Sequence, residues 1–414
     1  MTGSARPPIV LGCLAATLAC CRVVSDPPPP LLAVRVGLEQ VEAANGEVLR
    51  AKRLGLVAHR ASVTSDGRHA VDVLRGQGLE VVRLFSPEHG LRGQAGAGVL
   101  VPDGIDERSG LPVVSLYGPK SKPEAVDLAG LDALVFDVQD AGVRFYTYIS
   151  TMLLCLEAAA ESGVEFVVLD RPNPLGGERI EGPLRASTDA VPQSLVSRAP
   201  GPLVHGLTVG EMARFVNARR DAPARLTVVP MQGWRRSMTW SDTGRSWVNP
   251  SPNLRSPEAV LAYPGTALLE ATNVTEGRGT DAPFLLIGAP WLPAARLAAA
   301  VSAPGFALEP ASFTPRASAA APEPKHRDQA CAGLRVRVTD AAVARPYALG
   351  VALLHALRRA PEFRWRREGA LDWLVGTPRL RAALERGDSV RAILDADAAD
   401  IEAFRRARAA ALLY

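Results

Sequence analysis

Beyond about residue 50 the chain alternates short apolar runs with amphipathic stretches, and each apolar run stops at polar residues. Residues 54–58 end at His59 and Arg60. Residues 79–85 end at Ser86-Pro87-Glu88-His89-Gly90. Residues 112–116 end at Tyr117-Gly118, residues 131–138 at Gln139-Asp140, and residues 164–169 at Asp170-Arg171-Pro172-Asn173-Pro174. Runs this short and this rich in Val, Leu and Phe suit strands buried on both faces of a parallel sheet. Helical stretches lie between them. Residues 66–77 close at Gly78, and the Ala-rich residues 147–162 close at Gly163, both good stop signals. The alternation predicts an α/β, doubly wound, Rossmann-like domain. Ligands of such sheets bind beyond the carboxyl ends of the strands. Here that rim would gather His59, Glu88, His89, Tyr117, Gln139, Asp140, Asp170 and Asn173.

The pattern then changes. A helix is expected over 208–219 and a strand over 226–230, followed by residues 234–288, rich in Pro, Gly, Asn and Trp, which read as long ordered loops. Beyond these come a helix at 294–300, an Ala/Pro-rich stretch at 302–332, a strand at 334–338, a helix at 347–359 and mostly helical residues 380–414. We place a boundary near residue 250, giving a catalytic domain over 50–250 and a smaller α+β auxiliary domain over 251–414.

The amino-terminal segment reads as an address. Arg6 precedes an apolar stretch at 9–20 and a Pro-rich run at 26–30. The stretch is too short for a stable membrane-spanning helix and fits a signal-peptide core. Leu18-Ala19-Cys20-Cys21 resembles a bacterial lipoprotein box. Residues 1–21 are thus expected to direct export to the cell envelope, with lipid anchoring through one of the two Cys. Residues 22–49 would form a tether and lead-in.

Composition narrows the classes further. Of 414 residues 47% are hydrophobic and 22% charged, which excludes a mainly disordered chain. Lys and Arg number 47 against 43 Asp and Glu, a net +4 without a basic run, so no nucleic-acid face is expected. Cys13, Cys20 and Cys21 lie in the leader and leave Cys155 and Cys331 isolated. Neither a disulfide framework nor a structural zinc is expected. No Walker loop, G-x-S-x-G elbow or H-E-x-x-H string is present, and the glycines at 93–98 have the wrong spacing for a dinucleotide site.

Three strings at the predicted rim carry candidate chemistry. In Ser86-Pro87-Glu88-His89-Gly90 a Glu and a His follow a buried strand. Half-desolvation there would raise a carboxyl into the range of a general acid, although a Glu that merely caps the turn fits equally well. In Asp137-Val138-Gln139-Asp140-Ala141-Gly142-Val143-Arg144, Asp137 and Gln139 point to one side of an extended chain. Arg144 could pair with Asp140 or offer a bidentate fork to a ligand carboxylate. Asp170-Arg171-Pro172-Asn173-Pro174 is frozen by two prolines, as an ordinary stiff turn or as a sugar-binding loop. Glu276-Gly277-Arg278-Gly279-Thr280 sets charges between glycines, which places it near something polar or in a surface loop.

Together these strings resemble the NamZ-type exo-β-N-acetylmuramidases, a family that includes YbbC-like proteins. The likeness rests on SPEHG (86–90), SLYG (115–118), FDVQDAGVRFYTY (136–148), LDRPNP (169–174), HGLTVGE (205–211), YPG (263–265), EGRGT (276–280) and GAPW (288–291). It covers nearly everything from about residue 50 onward. The resemblance implies release of terminal N-acetylmuramic acid from the non-reducing end of peptidoglycan fragments, without a cofactor. It makes Glu88 the acid/base. Asp137, Asp140 and Glu276 compete for the second carboxylate role that glycoside cleavage needs. The sugar's lactyl carboxylate calls for a cation, with Arg144, Arg171 and Arg278 as candidates and Arg144 preferred. His89, Tyr148 and Asn173 would bind hydroxyls or the acetamide. Two rival functions remain at this point. One is a non-catalytic, muropeptide-binding lipoprotein; the other is a metal-dependent hydrolase using His59, His89 and Asp140.

Overall fold

A computed structural model describes residues 1–4, 33–93, 95–96, 98–186 and 190–414. The expected signal core at 9–20, the lipoprotein box and the Pro-rich run lie outside the described residues. No described helix is long and apolar enough to cross a membrane.

The first strands are β1 (Arg53–Ala58), β2 (Glu80–Ser86), β3 (Gly104–Ile105), β4 (Pro112–Ser115), β5 (Ala133–Asp137) and β6 (Glu165–Leu169). A small antiparallel pair, β7 (Glu181–Leu184) and β8 (Pro202–Val204), precedes β9 (Leu226–Val229). The main sheet has the order β3-β4-β2-β1-β5-β6-β9 and is parallel except for the short edge strand β3. This is the doubly wound order, with the chain reversing its direction of travel between β1 and β5. Ligand crevices form at such a switch point.

The apolar runs become strands because both of their faces are covered. Leu54, Leu56, Ala133, Val135, Val167 and Leu169 face one core, shared with Val36, Leu38 and Val41 of α1 (Gly37–Ala43, with its lead) and Val71 and Leu74 of α2 (Ala70–Gly76). The alternate residues Val57, Leu134, Phe136, Phe166 and Val168 face the other core. That side is covered, after the short α3 (Ala125–Leu128), by α4 (Thr147–Ser162) and α5 (Val209–Asn217). A period of two with apolar residues on both sides is the signature of a buried sheet.

Several stretches are more ordered than their composition suggests. The lead-in over 22–49 contains α1, packed on the sheet. The supposed loops over 234–288 contain the buried helix α6 (Pro257–Thr266) and β10 (Leu286–Ala289). The Ala/Pro-rich stretch contains all of β11 (Phe306–Phe313), on the edge of an antiparallel sheet β10-β12-β11 with β12 (Cys331–Val338). After α7 (Ala294–Ala300), α8 (Pro346–Leu357) lies against α6. The helices α9 (Ala370–Val375), α10 (Arg379–Arg386), α11 (Val390–Asp395) and α12 (Ala398–Arg408) complete the chain. From residue 33 onward the chain packs as one compact unit. One apolar core joins Phe136 and Met152 to Val260, Phe284, Leu334 and Leu353, so the smaller sheet and its helices form a wall of the same body.

Candidate active site

The turn after β2 places Glu88 at the rim, 9% exposed. Its Oε2 accepts from Thr147 Oγ1 at 2.8 Å and its Oε1 from the Gly98 N–H at 3.0 Å. Thr147 opens α4, so the helix start and the glycine-rich turn grip the same carboxylate. Burial, and the Glu88 carboxylate beside it, raise the Tyr117 hydroxyl above its ordinary pKa. His89 is held in the left-handed region at φ 70, a conformation that costs a non-glycine residue free energy and collects at functional sites. Its Nδ1 lies 2.9 Å from the Ala95 carbonyl and must donate there. Burial lowers its pKa despite the opposing pull of Glu88.

An aromatic wall stands behind Glu88. Tyr148 meets His59 edge-on at 5.0 Å between centroids and Tyr146 at 4.8 Å, and Tyr146 meets Tyr263 at 6.0 Å. The Tyr148 hydroxyl donates to the Pro250 carbonyl at 2.8 Å and lies 3.1 Å from that of Glu88. Burial raises the hydroxyls of Tyr146, Tyr148 and Tyr263 well above their ordinary pKa, and Glu88 adds to the rise in all three. Asp140 acts in the same direction on Tyr146 and Tyr148, and Arg278 opposes it at Tyr263. Glu88, Asp140 and Arg278 thus lie within electrostatic reach of one tyrosine cluster.

The carboxylates behind the rim differ in their partners. Asp137, at the end of β5, is fully buried and clamped by Arg171 through Nε–Oδ1 at 2.6 Å and Nη2–Oδ2 at 2.8 Å. Glu276 lies 2.9 Å from Lys325 Nζ and 3.3 Å from Arg278 Nη1. Burial alone would raise its pKa, but these two cations outweigh it and hold the carboxyl at about 2. Among the described residues no cation pairs with Asp140. Its Oδ2 accepts from the Gly142 N–H at 2.7 Å, and its buried Oδ1 has no partner among the described residues. Burial pushes it up to about 7 against the pull of the Gly142, Ala141 and Ile149 N–H groups.

Other expected site residues are committed to the framework. Arg144 does not pair with Asp140 and offers no free fork. Its guanidinium is buried and donates to the carbonyls of Pro183, Gly201 and Val375, tying α4's lead to β7 and α9. Asn173 donates to the Leu207 carbonyl and accepts from the Leu175 N–H, both at 2.9 Å, so its amide has little left for a sugar. A Cβ at Gly142 would stand 2.2 Å from Asn173 Oδ1, which is why that turn needs glycine, in the left-handed region at φ 77. Arg171 is spent on Asp137 and the Val63 carbonyl. Tyr148 positions backbone carbonyls, and Arg278 bridges Glu276 and Glu270, the latter at 2.6 Å. The metal reading also loses its ligands. His59 Nε2 accepts from the Gln139 N–H at 2.9 Å, and among the described residues no three His, Cys, Asp or Glu side chains converge as a metal site. Sequence reasoning missed Thr147, Tyr146, Tyr263 and Glu270. The FYTY and YPG strings carried the first three, while Glu270 had no signal beyond its charge.

A doubly wound domain whose rim gathers carboxylates and tyrosines holds the groups that general acid–base chemistry needs. The chain belongs to the NamZ exo-β-N-acetylmuramidase family: residues 54–258 match its N-terminal domain model and residues 261–414 its C-terminal one. It is 40% identical over 387 residues, 92% of this chain and 91% of the other, to the peptidoglycan β-N-acetylmuramidase NamZ of Bacillus subtilis (strain 168). Two crystal structures of DUF1343 family proteins from Bacteroides fragilis share the fold. One has a TM-score of 0.83 at 31% identity and covers 93% of this chain and all 100% of that one. The other has a TM-score of 0.74 at 30% identity and covers 92% and 99%.

Proposed function

We propose that this protein is a glycoside hydrolase that releases terminal N-acetylmuramic acid from the non-reducing end of peptidoglycan fragments. Family membership supports the reaction class. The observation that carries the assignment of roles is the pair of carboxylates at the rim that, among the described residues, pair with no cation: Glu88, gripped by Thr147 and Gly98, and Asp140, with one oxygen unpartnered. Glu88 protonates the leaving glycosidic oxygen and then, as a base, activates the water that completes hydrolysis. Of the three candidates for the second role, Asp137 and Glu276 are neutralised by neighbouring cations, which leaves Asp140. Its buried, unpartnered oxygen is an acceptor for the N–H of the 2-acetamido group once the sugar is seated against it, and the acetamide carbonyl oxygen would then attack the anomeric carbon. Because an ionised Asp140 accepts that N–H more strongly than a protonated one and offsets the positive charge that develops on the attacking acetamide, kcat/KM rises with pH through about 7, the value to which burial pushes it. The apolar stretch at 9–20 supports export of the enzyme to the cell envelope, where such fragments arise.

The test is hydrolysis of a chromogenic aryl β-N-acetylmuramide, with chromatographic identification of the free sugar. We expect turnover in the parent and loss of most of it in Glu88→Gln with the fold retained. Saturable sugar binding with no released monosaccharide would overturn the proposal in favour of a binding protein.

A further inference from the structure

With Arg144, Arg171 and Arg278 all committed to protein acceptors, the lactyl carboxylate of a muramyl unit has none of its expected partners. Two further cations near the rim are also occupied. Lys325 donates to the carbonyls of Leu269 and Val274 besides pairing with Glu276, and Arg255 donates to those of Pro252 and Thr280. We infer that Arg60 binds the anionic substituent of the sugar and so separates N-acetylmuramic acid from N-acetylglucosamine. The inference rests on the proposed muramidase reading and names the residue that gives that site its selectivity.

Arg60 follows β1 directly after His59, on the carboxyl rim at the switch point. Its stem is seated. A Cβ at Gly93 would stand 2.3 Å from Arg60 Cδ and 2.8 Å from Cγ, so the glycine leaves room for the methylenes. Gly93 lies in the same glycine-rich segment that runs from Glu88 to Gly98, whose N–H holds the Glu88 carboxylate. The charge of Arg60 reaches the site as well, since it opposes the rise of the Tyr148 hydroxyl. Its head is exposed and, among the described residues, donates to no carboxylate or carbonyl. A guanidinium with a packed stem and an open fork is suited to a planar carboxylate, which it can hold through two parallel hydrogen bonds. The two sugars differ by the lactyl ether on O3, so one cation near that position suffices to tell them apart.

The experiment compares the parent, Arg60→Met and Arg60→Lys on the aryl β-N-acetylmuramide and the matching β-N-acetylglucosaminide, with calorimetric binding of free N-acetylmuramic acid alongside. One charge-assisted hydrogen-bonded pair corresponds to roughly 10- to 100-fold in affinity. Arg60→Met should therefore raise KM for the muramide by about that factor, with kcat changed by less than about threefold. The glucosaminide kinetics should stay as they were, and Arg60→Lys should fall between. An unchanged preference for muramide in an active Arg60→Met enzyme overturns the inference and leaves the muramidase reading intact. Binding of free N-acetylmuramic acid that weakens in Arg60→Met, in a protein that cleaves no muramide, supports Arg60 and overturns the muramidase reading. No binding and no cleavage by the parent overturns both.

Discussion

Asp137 and Asp140 leave the same strand and meet opposite environments. Asp137 points into the sheet's switch point, where Arg171 from the next strand end closes on both of its oxygens. Asp140 lies just past the strand, over the start of α4, with backbone N–H groups around it and no cation among the described residues. The same division runs across the whole rim. Glu276, Glu270, Arg278 and Lys325 neutralise one another, Arg144 is absorbed by carbonyls, and among the described residues Glu88 and Asp140 have no counter-charge. A buried carboxylate that finds a guanidinium becomes part of the framework, because the pair is costly to separate. Asp140, held only by backbone amides, instead keeps its proton up to about 7.

The contrast predicts that damage to the two groups shows in different measurements. The largest effect is on turnover. Glu88→Gln should lower kcat by about 10²- to 10⁴-fold, with little change in the thermal midpoint. Next comes stability. Arg171→Met leaves the Asp137 charge buried and alone, and should cost about 3–5 kcal/mol in a urea titration. Adding Asp137→Asn to it should recover part of that loss, which no catalytic role for Asp137 would explain.

A pH-dependent effect follows. Burial raises the carboxyl of Asp140 from 3.8 to about 7, so the native state keeps a proton that the unfolded chain releases within that window. Stability contributed by this residue therefore falls as pH rises from about 4 to about 7 and is level above it. Asp140→Asn should gain thermal midpoint relative to the parent across that window and lose the rising limb of the kcat/KM profile. The smallest effect is that of Tyr148→Phe, which removes the hydroxyl between the Glu88 and Pro250 carbonyls. A cost of about 1 kcal/mol is expected by chemical denaturation.

The strand ends were legible because a both-faces-buried sheet writes itself as apolar runs cut off by polar residues, and the rim follows from the topology. Helix α4 was legible down to its closing Gly163. Helix α6 was not, since residues 234–288, rich in Pro, Gly, Asn and Trp, read as loops. In the structure Pro257 occupies the helix's first turn, where no N–H is needed, and burial against α8 carries the rest. Strand β11 was hidden by Pro310, which an edge strand tolerates. At the site, residue types and turns were legible and partners were not. Arg144 meets the Gly201 and Val375 carbonyls, and Arg171 meets Asp137, across separations that no local spacing encodes. Arg60 had a signal of its own, a cation placed just past β1 at the switch point, which was outweighed by the richer strings.

The most direct measurement is a crystal structure with N-acetylmuramic acid bound. The sugar should sit at the rim with the Glu88 carboxylate in hydrogen-bond reach of the anomeric oxygen, the acetamide N–H on Asp140 and the lactyl carboxylate toward Arg60. A sugar seated instead in the cavity lined by Trp240, Glu258 and Leu261, away from Glu88, would contradict these assignments.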